Sequence, residues 1–142
     1  MHNSLRRALC AGAAASLLVA FAARADTYGC DLKSSSEVPP NDSQATGKVD
    51  ATYDPMSMKF SWNITYSGLT GPATAAHFHG PAKAGSNAGP IITLKAPLTS
   101  PMTGSETLSK EQGESLAAGM WYFNVHTEKH GPGEIRCQLM KK

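Results

Sequence analysis

The chain is 142 residues long, with 41% hydrophobic residues, 13 Lys+Arg against 11 Asp+Glu, and three cysteines. That length suits one domain able to bury a core of its own. The formal charge of +2 is too small and too scattered to mark a nucleic-acid-binding or membrane-surface protein.

Residues 1–25 have the order of a secretory signal. Arg6 and Arg7 precede an Ala- and Leu-rich run from about Leu9 to Ala22, and Ala23-Arg24-Ala25 supplies small residues for cleavage. The run is too short for an ordinary membrane span, and no other segment approaches the roughly 18 apolar residues a span needs. Cys10 stands at the front of the run, whereas a lipidated cysteine would follow it. Cleavage after Ala25 predicts a periplasmic or secreted domain over 26–142. Losing three arginines leaves ten basic against eleven acidic side chains, and losing Cys10 leaves Cys30 and Cys137. An even pair in an exported chain reads as a disulfide, here closing nearly the whole domain. In the chain-entropy picture that closure is worth about 4–5 kcal/mol.

In chain order, β-rich segments between Gly, Pro, Asn and Ser clusters are predicted near 27–34, 46–53, 58–66, 73–79, 90–95, 102–108, 120–127 and 133–140. The clearest is 58–66, where Met58, Phe60, Trp62, Ile64 and Tyr66 alternate with polar residues, which places Met58 in the core-facing set. Met56 and Met58 also offer thioethers suited to Cu(I), and Asn63-Ile64-Thr65 matches a glycosylation sequon. Residues 80–90 read as an ordered surface loop. Ser109-Lys110-Glu111-Gln112 fits a capping box and predicts a short connecting helix over 110–118, weakened by Gly113 and ended by Gly119. The spacing of these segments predicts an all-β fold: an antiparallel Greek-key sandwich or barrel with one short helix.

The chemistry gathers on histidines. His77 and His79 are two residues apart, so on a strand both rings face one side, about 6.5–7 Å apart, near enough to lean onto one ion. Along 120–126, Trp121, Phe123 and Val125 alternate with Tyr122, Asn124 and His126; if the first set faces the core, His126 faces outward. Adjacency of the two strands would then assemble three imidazoles, a set suited to copper or zinc. His130 is a fourth candidate ligand or a pH-sensitive surface group. On 133–139, Ile135, Cys137 and Leu139 form the apolar face. Arg136 opposite them either pairs with Glu134 or Glu128 or attracts an anion towards the histidines. No Ser/His/Asp constellation, phosphate loop or Cys–His nucleophile pair is visible.

Glu37-Val38-Pro39-Pro40, Ala45-Thr46-Gly47, Thr74 to Pro81, Gly119 to Thr127 and Gly133-Glu134-Ile135-Arg136 follow one another in the order of the chordin-type (CHRD) domain family. The chain resembles that family over nearly all of 26–142. The resemblance implies an all-β domain of bacterial exported proteins and of animal chordin, where such domains accompany growth-factor binding. Its polar signature falls on His77, His79, His126, Glu134 and Arg136. Cys137 replaces the glycine usual at that place, which fits a subgroup with a Cys30–Cys137 bridge. The His-x-His strand, the later strand ending in histidine, and Arg136 beside Cys137 are also similar to Cu/Zn superoxide dismutase. The zinc-loop ligands of that enzyme have no counterpart between His79 and Ile91, so a copper-only site is the closer comparison.

The expectation is therefore an exported copper-binding domain, copper ahead of zinc, with His77, His79, His126 and His130 as ligands and metal sequestration or delivery as its use. A dismutase-like redox enzyme and a non-enzymatic protein-interaction module are its rivals.

Overall fold

The computed structural model describes residues 24–142; the predicted signal over 1–25 falls almost wholly outside the described residues. Within them run β1 (Asp26–Lys33), a 3₁₀ turn (Ser34–Ser36), β2 (Thr46–Asp54), β3 (Lys59–Ser67), β4 (Ala73–His79), β5 (Pro90–Thr93), β6 (Met102–Thr107), α1 (Lys110–Ala117), β7 (Tyr122–Thr127), β8 (Ile135–Gln138) and β9 (Met140–Lys141). The strands pair antiparallel throughout. They form a single sheet in the order β5-β4-β7-β8-β1-β2-β3-β6, with β9 added beside β1. The all-β antiparallel fold with one short helix is thus the fold observed.

The sheet encloses a core by curling into a half-barrel. Phe60 on β3 and Phe78 on β4 belong to strands five places apart in the sheet, yet their ring centroids lie 5.1 Å apart. Trp62 and Phe123 approach Phe78 at 5.3 and 4.7 Å, so the concave side is packed with aromatic rings. The two-residue period explains why these residues meet: Phe60, Trp62 and Ile64, Ala76 and Phe78, and Phe123 and Val125 all point inward and are buried. Each such aromatic or aliphatic side chain contributes about 1.5–3 kcal/mol through burial.

Two details depart from the sequence reading. Met58 is no core residue: it stands in the β2–β3 turn at φ 56° and is 39% exposed. A tight reversal between paired strands needs a residue in the left-handed region, and Met58 fills it. The segment near 133–140 divides in two. Leu139 interrupts it, buried and donating its N–H to Trp121 O at 2.9 Å, and Met140–Lys141 then pair with β1.

Helix α1 forms as its capping box requires. Gln112 N donates to Ser109 Oγ at 3.2 Å, and Ser109 N donates to Gln112 Oε1 at 2.8 Å. Gly113, unfavourable for helix propensity, lets the helix lie against β2, because a Cβ there would run into the Tyr53 ring. Cys30 on β1 and Cys137 on β8 are joined in a disulfide, with Cα atoms 5.7 Å apart and 107 residues between them in sequence.

Candidate metal centre

The register of β4, β7 and β8 assembles a row of polar side chains on the convex side of the sheet. His77 pairs with Asn124 and His79 with Tyr122, while across β7 Asn124 pairs with Arg136 and Tyr122 with Gln138. Because Phe123 and Val125 take the core side, Tyr122, Asn124 and His126 are sent outward. Outward here does not mean exposed. The segment between β4 and β5 and the segment after β1 fold over this face, leaving Asn124 3%, Arg136 2% and His79 8% exposed.

The covering loops are tied down by the residues they cover. Arg136 Nη1 donates to Asn87 Oδ1 at 2.8 Å and Nη2 donates to Ser86 O, while its guanidinium lies 3.4 Å from the centre of the Tyr122 ring. His79 stacks on Tyr122 with centroids 4.6 Å apart, and the Tyr122 hydroxyl donates to Ala88 O at 3.1 Å. Asn41 Nδ2 donates to the carbonyls of Gly133 and Glu134, and Asn87 Nδ2 to Val38 O. Arg136 therefore makes no ion pair with Glu134 or Glu128; its donors hold the loop.

His77, His79 and His126 come together on this face. His77 Nδ1 lies 3.1 Å from His126 Nε2, and one nitrogen from each of the three rings falls within 4.8 Å of the other two. Two imidazole nitrogens bound to one zinc-like ion at about 2.0–2.1 Å stand on the order of 3.3 Å apart. The trio could hold a metal ion.

The protonation pattern follows from partners that can only accept. His79 Nδ1 lies 2.9 Å from Ala88 O and His126 Nδ1 lies 2.8 Å from Gly131 O, so both rings carry their proton on Nδ1 and leave Nε2 bare. Both bare Nε2 atoms lie 3.0 Å from Asn124 Oδ1, another acceptor. Apart from His77 Nδ1, which can donate to His126 Nε2 across 3.1 Å, only acceptors face one another here, an arrangement that suits a cation. A ring whose second nitrogen is anchored on a backbone carbonyl is also how metal-ligating histidines are oriented. Burial, with the neighbouring His126 and His79 adding to it, lowers His77 to about 4, and burial likewise lowers His79 although the carbonyl of Ala88 and the amide of Asn124 beside it favour its charged form. Near neutral pH these rings are uncharged, with lone pairs free of competing protons.

His130 does not belong to this group. A residue four positions after His126 would sit beside it on a helix, whereas here residues 127–133 form a turn closed by Gly133 N donating to His130 O at 3.0 Å.

Glu134 is wholly buried and serves as a tie between segments. Its carboxylate accepts from Ser43 Oγ at 2.6 Å, Thr70 N and Thr70 Oγ1 at 2.8 Å each, and Thr127 Oγ1 at 2.6 Å. Burial pushes this acid up, but those hydrogen bonds together hold it below the usual glutamate range.

Asn124 and Glu37 join the site without having been singled out in the sequence. The Asn124 amide nitrogen and the Glu37 carboxylate meet beside Gly133, and Glu37 is only 5% exposed with an Oε1 that has no hydrogen-bond partner. Burial raises Glu37 to about 7 against the opposing charge of Arg136 and the bonds from Asn124 and Val38. Gly133, at φ 138°, makes room for the pair, since a Cβ there would strike Glu37 Oε1 and the Asn124 amide. The signals were present: Asn124 shares its alternation with Tyr122 and His126, and Glu37 opens the Glu-Val-Pro-Pro stretch.

These features define a class: a small antiparallel β domain, closed by a disulfide, with a buried polar face that gathers three histidines. The CHRD domain model matches residues 28–139, and the chain belongs to that family. No curated protein and no solved structure matches it significantly. CHRD domains occur in extracellular proteins, and the intramolecular disulfide is consistent with such a setting. No helix among the described residues is long and apolar enough to cross a membrane.

Proposed function

We propose that residues 26–142 are an exported domain that holds one copper ion on His77, His79 and His126, with zinc as the weaker occupant, and that sequesters or delivers the metal. One observation carries this reading: the Nε2 atoms of His79 and His126 are bare because both Nδ1 protons are committed to carbonyls, and they converge with His77 Nδ1. Imidazole donors suit copper and zinc, and at a given nitrogen site Cu(II) binds more tightly than Zn(II). His77 and His126 are half-exposed, so an ion can reach them without opening the aromatic core. The redox alternative draws no support from Arg136, which is buried and occupied by Ser86 and Asn87.

The test uses the purified signal-free protein. Metal analysis and electron paramagnetic resonance after copper loading and desalting should report one copper per chain with nitrogen ligation, and His77→Ala combined with His126→Ala should remove it. Equal copper retention by the double variant would falsify the assignment. Histidine substitutions that change stability alone, with no copper held by the unmodified protein, would point instead to an interaction module.

A further inference from the structure

On the convex face a buried amide turns its oxygen towards the Nε2 atoms of two rings whose Nδ1 protons are committed to carbonyls. Resting on the metal-binding reading above, we infer that Glu37 and Asn124 are positioning residues of that centre. Glu37 holds the Asn124 amide with its oxygen towards the rings, and this polarity makes the cluster select a cation instead of satisfying itself.

A primary amide has a donating and an accepting end. With Oδ1 at 3.0 Å from both His79 Nε2 and His126 Nε2, the accepting end meets two more acceptors. Turned over, the same amide would offer N–H donors to those nitrogens, and the cluster would need no ion. The donating end instead lies on the side of Glu37, where Nδ2 and the carboxylate both border Gly133; when ionised that group can only accept, so turning the amide would set oxygen against carboxylate.

Few contacts of the Glu37 carboxylate would otherwise explain its burial. It forms no ion pair with Arg136 among the described residues. Its Oε1 is buried and unpartnered, a condition that natural proteins seldom keep without a use. A glycine is needed at position 133 to let it approach Asn124 at all. The contrast with Glu134 is informative: that carboxylate is satisfied by four hydrogen bonds and has a clear architectural role. When ionised, Glu37 also places a negative charge on the buried face that carries the three imidazoles.

The experiment is a competition titration of the signal-free protein with Cu(II) and with Zn(II) at pH 8, where carboxylates and imidazoles are deprotonated. It compares wild type, Glu37→Gln, Asn124→Ala and the double variant, with thermal unfolding of each in the metal-free form. Glutamine can donate as well as accept, so Glu37→Gln frees the amide to turn. Copper affinity should fall 10–100-fold, the range for loss of an outer-shell partner, while the metal-free protein holds or raises its melting temperature. Asn124→Ala should weaken copper similarly, and Glu37→Gln should have no further effect on that background, because it acts through Asn124. A purely structural role would move stability and leave affinity unchanged. Wild type that binds copper together with Glu37→Gln and Asn124→Ala proteins of about equal affinity overturns this inference and leaves the metal-binding reading standing. A folded wild type that binds neither metal overturns both.

Discussion

Replacing Glu134 by alanine should be among the most destabilising single changes in the domain. The carboxylate is 0% exposed and receives four hydrogen bonds from three separate places: Ser43 before β2, Thr70 between β3 and β4, and Thr127 at the end of β7. A hydrogen bond to a charged group is worth about 1.5–3 kcal/mol net, but four on one group do not add, since water can enter where the side chain was. A total of about 3–5 kcal/mol is the working figure. For a domain of this size that lowers the melting temperature by roughly 10–25 °C. Glu134→Gln tests the chemistry separately. Its oxygen can keep Ser43 and the Thr70 N–H, and the Thr70 and Thr127 hydroxyls can reverse to accept from its amide, so it should cost only about 1–2 kcal/mol. Urea unfolding followed by the fluorescence of buried Trp62 and Trp121, with the disulfide intact, measures both. The pH dependence adds a sign. An acid held below its usual range contributes stability that is present above about pH 4.5 and lost as pH falls through its folded value, so Glu134→Gln should lack that part of the acid limb. A Glu134→Ala loss under about 1 kcal/mol, or equal losses for Ala and Gln, would refute the reasoning.

Glu37 should act with the opposite sign. Raised to about 7, it keeps a proton that the unfolded chain releases near pH 4.5, so its contribution is complete below that pH and is lost as pH climbs to 7. His77, lowered to about 4, favours the fold increasingly from pH 4 to 6.5, so the effect of Glu37 emerges as the difference between Glu37→Gln and wild type across metal-free urea midpoints. The Cys30–Cys137 bridge closes almost the whole domain; replacing both cysteines by alanine should cost about 2–5 kcal/mol, and an unchanged urea midpoint would contradict that. Gly133→Ala should destabilise the fold and disturb the Glu37–Asn124 pair, readable as a changed Asn124 side-chain amide signal by NMR. Gly113→Ala should destabilise despite alanine's better helix propensity, because its methyl meets the Tyr53 ring; a gain in melting temperature would show that α1 can shift away at little cost.

Much of this molecule is local in origin and therefore legible along the chain. Alternation at Phe60, Trp62 and Ile64 and at Trp121, Phe123 and Val125 identifies strands and their inner faces, since side-chain direction in a strand depends only on parity. Ser109 and Gln112 announce the start of α1 because a capping box lies within one turn. Met58 shows where locality misleads, as the parity was carried one residue into a turn. The histidines were half legible: parity put His77 with His79, and His126 on the outer side of its strand, but only the pairing of β4 with β7 brings the two strands together. His130, close in sequence, is excluded because a turn does not place neighbours as a helix does.

Most elements, most of their buried faces and the residue types available for chemistry follow from the amino-acid order alone, because each depends on neighbours a few positions away. The folded chain settles that the convex face is covered, that Arg136 holds a loop, that Asn124 lies against two histidines and that Glu37 lies beside Asn124. Those outcomes rest on strand register and loop closure, which bring Glu37 beside residues some ninety positions away along the chain, and no local pattern encodes which partners the closing loops will meet.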